Sequence, residues 1–269
     1  MTLLQATILG ILQGFTEFLP VSSSGHLVLA QHLLHIGGTG DLTFDVYVHF
    51  GTLISVVVIF WNDIVLMVKA FLKAVVSMNV KEEYHSNEHV RLATAILFGS
   101  IPAGVIGILF HDAIKDAFTD PKLVSMNLVL TGLILFLTRL ARPDANKKIG
   151  VVTSLVIGIA QSIAILPGIS RSGSTISTAM YLRISPVQAA KFSFLLSVPV
   201  IAGAAMLETR NLIRSGAVIG ALPLIVGTVV AAITGYLSIK LLLAVVQRGK
   251  LSWFALYCLI IGVLGIIFV

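Results

Sequence analysis

The sequence predicts an all-α polytopic membrane protein made of two inverted-topology repeats, each a re-entrant broken-helix hairpin plus three transmembrane helices. Three observations lead there. Of 269 residues, 57% are hydrophobic and 11% charged, against roughly 45–50% and about 25% in soluble domains. Six runs free of Asp, Glu, Lys and Arg approach the length needed to cross hydrocarbon. The chain also matches itself at an offset of 148 positions.

The composition excludes several classes of protein. A mean hydropathy of +1.01 is too high for a water-soluble fold, so the apolar residues face a bilayer as well as a core. The single cysteine, Cys258, rules out a disulfide framework and a thiolate metal cluster. The net charge of +6 is spread thinly along the chain, which gives no nucleic-acid patch.

The expected spans are 46–62, 92–111, 123–138, 192–207, 215–239 and 251–269. Two further apolar regions, 1–36 and 149–182, are interrupted near their middles by LPVSSSGH and LPGISRSGS. Backbone freed by such breaks cannot face lipid, where unpaired N–H and C=O groups cost several kcal/mol, so both breaks should be buried or line a polar cavity. Broken, re-entrant hairpins satisfy that demand. Segments 63–91, 139–148, 183–191 and 240–250 hold thirteen Lys and Arg, while 111–122 and 208–216 hold four. The basic connections are therefore expected in the cytoplasm, with both termini outside. Lacking a positive stretch before its first apolar run, the N-terminus is expected to escape signal cleavage.

The 148-residue offset pairs Gly10 with Gly158, Ile11 with Ile159, Gln13 with Gln161, Ser22 with Ser170, Ser24 with Ser172, Gly25 with Gly173 and Phe44 with Phe192. This divides a single integral membrane domain, 1–269, into repeat one, 1–140, and repeat two, 149–269. Three spans per repeat is an odd number, so the second copy would insert upside down and the two breaks would face each other.

The breaks carry the chemistry. Gln13 and Glu17 are four apart and share a helix face. Glu17 is the only Asp, Glu, Lys or Arg among the first forty residues, and an ionisable group inside a membrane is a functional candidate by default. The bland alternative is a neutral, hydrogen-bonded carboxylic acid that only packs. His26, beside the run Ser22, Ser23, Ser24 and Gly25, is a catalytic candidate, although an isolated histidine is often a satisfied core residue. In the second break Ser170, Ser172, Gly173 and Thr175 let backbone N–H groups converge at a helix start, and Arg171 adds a forked donor suited to phosphate oxygens. The competing reading is that Arg171 merely pairs with Glu17. Together these groups fit an anionic substrate with an apolar tail and the needs of phosphoryl transfer.

At these residues the chain resembles the undecaprenyl pyrophosphate phosphatase, or bacitracin-resistance, family. The family's (E/Q)-x-x-x-E motif running into a Ser-Gly-His segment stands here as QGFTEFLPVSSSGH, Gln13 to His26, and its P-G-x-S-R-S-x-x-T motif as PGISRSGST, Pro167 to Thr175. Order, length and spacing agree across nearly the whole chain. The resemblance implies hydrolysis of the polyprenyl diphosphate lipid to its monophosphate and inorganic phosphate, which recycles the carrier for cell-wall synthesis. It also implies bacitracin resistance, since bacitracin competes by binding the substrate. It places a multi-pass enzyme in the cytoplasmic (inner) membrane with its site open to the outer face, dependent on a divalent cation, Mg2+ or Ca2+. By the same resemblance, Glu17 and Gln13 position the cation or water, and His26 and Ser23 share nucleophile and acid/base work. Arg171 would bind the diphosphate, with Ser22, Ser24, Gly25, Ser170, Ser172, Gly173 and Thr175 around it. Gln13 replaces the carboxylate other members carry, so a two-carboxylate metal site is unavailable and cation binding without substrate should be weak. Whether His26 attacks phosphorus or activates Ser23 does not follow from spacing. Asp45 and His49, four apart at the start of a span, are expected only as supporting groups. Oligomeric state is left open, a homo-oligomer included.

Two other classes share part of this pattern. A type-2 phosphatidic acid phosphatase needs a histidine where Ser177 stands, and fails on spacing. A lipid transporter or flippase uses the same kind of inverted repeat and is separated by assay alone.

Overall fold

A computed structural model describes residues 1–33, 42–215 and 221–269. Among these residues the chain is helical, with no strand. The helices are α1 (Leu3–Phe18), α2 (Ser23–Leu33), α3 (Leu42–Ile59), α4 (Trp61–Val76), α5 (Val80–Ser86), α6 (Glu88–Leu109), α7 (His111–Ala117), α8 (Pro121–Leu137), α9 (Val151–Ile163), α10 (Arg171–Tyr181), α11 (Pro186–Ser215), α12 (Ala221–Gln247) and α13 (Trp253–Phe268). Their starts are written in the sequence. Thr2 and Gln5 form a capping box on α1, Asn87 caps α6, and Asp120 caps α8 with Pro121 at the first helical position.

The chain is a multi-pass membrane protein. The described residues of the six expected spans fall largely on helices; 216–220 of the span expected over 215–239, and 34–36 of the interrupted region 1–36, lie outside the described residues. Among the described residues, four helices are long and apolar enough to cross a membrane, within 88–109, 121–140, 186–206 and 221–247. The run expected over 46–62 ends at Phe60, where α4 turns away from α3 by 79°. The last span, α13, is an apolar helix of 16 residues. At about 1.5 Å per residue it is shorter than the roughly 30 Å of hydrocarbon. Residues 63–91, read as a basic connection, are largely helical as α4 and α5, and Asp63 on α4 pairs with Lys191 at 2.7 Å.

Polarity is distributed as a membrane requires. Large apolar side chains such as Ile108, Leu109, Leu241 and Ile260 point outward, while Gln13, Ser193, Ser197 and Ser238 are buried. With lipid tails as apolar as leucine, small residues and interhelical hydrogen bonds hold the bundle. Gly10 of α1 lies against Gly227 of α12, and Gly158 of α9 against Gly99 of α6. Ser238 donates to the Phe15 carbonyl at 2.8 Å, Ser55 to that of Ala232 at 2.6 Å, and Ser154 to that of Ala95. The close contact expected along Gly227–Gly235 is present: Gly235 sits against Ser55 and Phe18.

Candidate active site

Two helix breaks build the site. Helix α1 stops at Phe18 because Leu19 is extended and Pro20 follows; Ser22, at φ +68°, then turns the chain into α2. Its Oγ accepts from the Gly25 N–H at 3.2 Å and lies 3.3 Å from Ser24 Oγ. Helix α9 stops at Ile163, and Gly168, at φ +88°, makes the return. Ser170 then caps α10: its Oγ accepts from the Gly173 N–H at 3.0 Å and lies 3.2 Å from Ser172 Oγ. The hydrogen-bond pattern at 22–25 thus recurs at 170–173, 148 residues on.

The backbone groups freed by the breaks find protein partners, as burial in a membrane demands. Asn127 and Thr131 of α8 donate to the carbonyls of Pro167 and Gly168, at 2.8 and 3.0 Å, and the Ser170 N–H donates to Thr131 Oγ1 at 3.0 Å. Ser172 Oγ donates to the Leu19 carbonyl at 3.1 Å, tying one break to the other. Gly25 faces Gly168 so closely that a Cβ there would stand 3.1 Å from the Gly168 Cα. The breaks face each other, as the sequence predicts.

Glu17 is the hub. Its Oε1 accepts from Arg171 at 2.5 Å, and its Oε2 accepts from Ser23 Oγ at 2.6 Å and from Gln13 Nε2 at 2.9 Å. Ser23 and Arg171 are the first residues of α2 and α10 and are themselves 148 apart, so equivalent positions reach the two oxygens of one carboxylate. The pairing of Arg171 with Glu17, set against an anion cradle in the sequence, is therefore present. Arg171 also donates to the Ser193 carbonyl at 3.2 Å, and Ser193 Oγ lies 2.6 Å from Thr175 Oγ1. His49, expected only as a supporting group, places Nε2 3.5 Å from Glu17 Oε2 while Nδ1 donates to the Asp45 carbonyl at 2.6 Å. Gln31 in turn donates to Asp45 Oδ1 at 2.9 Å.

His26 makes its hydrogen bonds elsewhere. Its Nδ1 lies 2.8 Å from the Ser22 carbonyl and its Nε2 2.8 Å from the hydroxyl of Tyr257 on α13.

Among the described residues, no three His, Cys, Asp or Glu side chains converge as a metal cage. The donor set beside Glu17 is completed by the buried Gln13 Oε1, which has no hydrogen-bond partner.

The chain matches the family model described as bacitracin resistance protein BacA over residues 6–264. It is 44% identical to the undecaprenyl-diphosphatase of Salinibacter ruber, with 99% of each chain covered. It is 42% identical to that of Halothermothrix orenii, with 99% of this chain and 98% of the relative covered. With that of Bacteroides fragilis the identity is 38%, with 98% and 97% covered.

The chain belongs to the bacitracin resistance protein BacA family. Both breaks lie inside the matched region. Four participants in this BacA-family site were not singled out from the sequence. Asn127 and Thr131, four apart in an apolar helix, left a readable signal; Ser193 and Tyr257 did not, because only packing brings α11 and α13 to the breaks.

Proposed function

We propose that the protein hydrolyses undecaprenyl diphosphate to undecaprenyl phosphate and inorganic phosphate, recycling the carrier for wall synthesis and leaving bacitracin less of the lipid it binds. One observation carries the reading: two broken helices deliver a hydroxyl and a guanidinium to opposite oxygens of one buried carboxylate. That arrangement holds a nucleophile, its base and a phosphate clamp in one place.

In this reading Arg171 exchanges the Glu17 carboxylate for the oxygens of the terminal phosphate, aided by the N-terminus of α10 and the hydroxyls of Ser170, Ser172 and Thr175. Glu17 Oε2 takes the proton of Ser23, and Ser23 Oγ bonds to the terminal phosphorus as the bond to the bridging oxygen breaks. Undecaprenyl phosphate departs. Glu17 passes that proton to the departing phosphate oxygen, then takes one from water as the water oxygen bonds to phosphorus and the Ser23 Oγ–P bond breaks, and returns it to Ser23 Oγ, freeing inorganic phosphate. Ser23 is preferred to His26 as nucleophile because it alone of the two is hydrogen-bonded to the base. His26, Ser22, Ser24, Gly25 and Gly173 shape the phosphate side, with His26 handling protons.

Glu17 and Gln13 fit a divalent cation shared with the substrate. When Arg171 turns to phosphate, Glu17 Oε1 is released, and Gln13, bonded to Glu17 through its amide nitrogen, has its amide oxygen without a partner. One carboxylate, one amide oxygen and the diphosphate oxygens suit Mg2+ or Ca2+, which would neutralise charge on the phosphates.

The two halves, 1–140 and 149–269, act as inverted repeats in this account. Support comes from the recurrence of helix starts at Leu3 and Val151 and at Ser23 and Arg171. It comes also from reciprocal packing, α1 on α12 and α9 on α6. The asymmetry of Lys and Arg favours an inner membrane with the site open to the outer face.

Phosphate release from undecaprenyl diphosphate by protein purified in detergent tests the reading, because no gradient exists there. Release that requires Ser23 and Glu17 supports it. Lipid movement in sealed vesicles with no phosphate released would replace it with a carrier.

A further inference from the structure

Helix α13 contributes one hydroxyl to the interior of the site, and its position is specific. His26 is buried, and its Nδ1 lies 2.8 Å from the Ser22 carbonyl. A carbonyl only accepts, so Nδ1 carries the ring proton and the neutral ring presents its lone pair at Nε2. That lone pair lies in the imidazole plane. The Tyr257 hydroxyl stands 2.8 Å from Nε2, and the two ring planes are only 6° apart. With the ring proton on Nδ1, Nε2 can only accept, so the phenol hydroxyl donates to it.

The helix is held so that this contact is kept. Cys258, the next residue, places Sγ 3.6 Å from the Pro20 carbonyl in the first break. Gly262 and Gly265 let α13 lie directly against Ser125 and Val129 of α8. The ring of Tyr257 is 41% exposed on the outside of the bundle while its hydroxyl turns inward. A tyrosine serving as an interfacial anchor would send that hydroxyl toward water instead. The second break offers a control within the same chain. The residue equivalent to His26 is Ser174, and its cap, Ser170, sits at φ −73°, whereas Ser22 is at φ +68°. Only at the break that carries the imidazole is the capping serine itself left-handed; at the second break the left-handed residue is Gly168, two positions before the cap.

We propose that Tyr257 is a positioning residue of the hydrolytic site, holding Nε2 of His26 and thereby fixing the tautomer and facing of the imidazole. The inference rests on the phosphatase reading for what His26 does, but the contact itself can be tested separately. With Ser22 gripping one nitrogen and Tyr257 the other, the ring cannot flip, and a proton reaches or leaves Nε2 by way of the Tyr257 hydroxyl.

The experiment combines kinetics with 15N NMR of the histidine in detergent. Tyr257→Phe keeps the ring and removes only the hydroxyl. The expected result is a fall in kcat of about tenfold, the rate equivalent of one such hydrogen bond, with KM for undecaprenyl diphosphate little changed. Tyr257→Phe added to His26→Ala should cost nothing beyond His26→Ala alone, because a residue acting through another is not additive with it. In the NMR spectrum, His26 should show an unprotonated Nε2 whose resonance moves in Tyr257→Phe. Additive losses, a raised KM with kcat intact, or a His26 resonance unmoved by Tyr257→Phe would each overturn the proposal. A wild-type protein that releases no phosphate would instead overturn the phosphatase reading and leave the NMR result to decide the contact.

Discussion

At the first break the chain turns through a left-handed serine and is followed by residues that carry reactive groups; at the second it turns through a left-handed glycine and is followed by a single arginine among small residues. The backbones are supported differently. Asn127 and Thr131 of α8 hold the second break through three hydrogen bonds, whereas the carbonyls of Leu19 and Pro20 in the first receive Ser172 and the weak thiol donor of Cys258. One break is the more firmly held, which suits the anion seat proposed for it, and the other carries Glu17, Ser23 and His26. Of the positions 148 apart, the identical pair Ser22 and Ser170 cap helices, while the unlike pair Ser23 and Arg171 bring different groups to the same carboxylate.

The sharpest way to break this division is Glu17→Gln. It keeps the shape but removes the base for Ser23 and the counter-charge for Arg171. Activity should fall by about 10²–10⁴-fold, the usual range for lost general acid–base catalysis. Trapping the intermediate separates the two nucleophiles. Label from the terminal phosphate should survive an acid quench and be lost in alkali, as a phosphoserine is. Acid-labile label would move the attack to His26.

Arg171→Lys comes next in size. An ammonium keeps the charge but lacks the fork, so kcat should drop by about 10²–10³-fold. Wild-type turnover in that variant would reduce Arg171 to a structural partner of Glu17.

These two effects concern residues that were legible in the sequence, for a physical reason. Charge inside an apolar run is costly enough to stand out, so Glu17 and Arg171 announced themselves, and their helix breaks were marked by Pro, Gly and Ser. The spans were legible from hydropathy, although the 79° turn at Phe60 was not, because Trp61 onward mixes charge with apolar residues as a loop or a helix can. Ser193, on a helix of ordinary composition, was invisible: its carbonyl and hydroxyl matter only because α11 packs where it does. Tyr257 was hidden for the same reason, being one more aromatic in a hydrophobic helix. Local chemistry could be read from spacing, while residues recruited by tertiary packing could not.

Thr131→Val probes the seat rather than the chemistry. Losing the hydroxyl strands the Gly168 carbonyl and the Ser170 N–H, and each unsatisfied buried group costs ~1–3 kcal/mol. A clear fall in the thermal midpoint in detergent is expected, with a smaller loss of phosphate release than either site variant. An unchanged midpoint would show that the second break needs no support from α8.

The smallest effect concerns the glutamines, which occupy equivalent places on α1 and α9. Gln13 donates to Glu17 at 2.9 Å, but neither amide atom of the buried Gln161 has a partner among the described residues. If the second break only seats the phosphate while the first supplies the base and nucleophile, the two should respond in opposite ways. Gln161→Met removes two unsatisfied polar atoms at similar volume and should leave turnover intact while raising stability by roughly 1 kcal/mol. Gln13→Met leaves Glu17 short of one donor and removes the amide oxygen offered to a cation. Its turnover should decline, and the midpoint of its Mg2+ titration should shift to higher concentration. A Gln161→Met variant that lost turnover would instead put base or cation chemistry at the second break too, and the division between seat and reactive break would have to be abandoned.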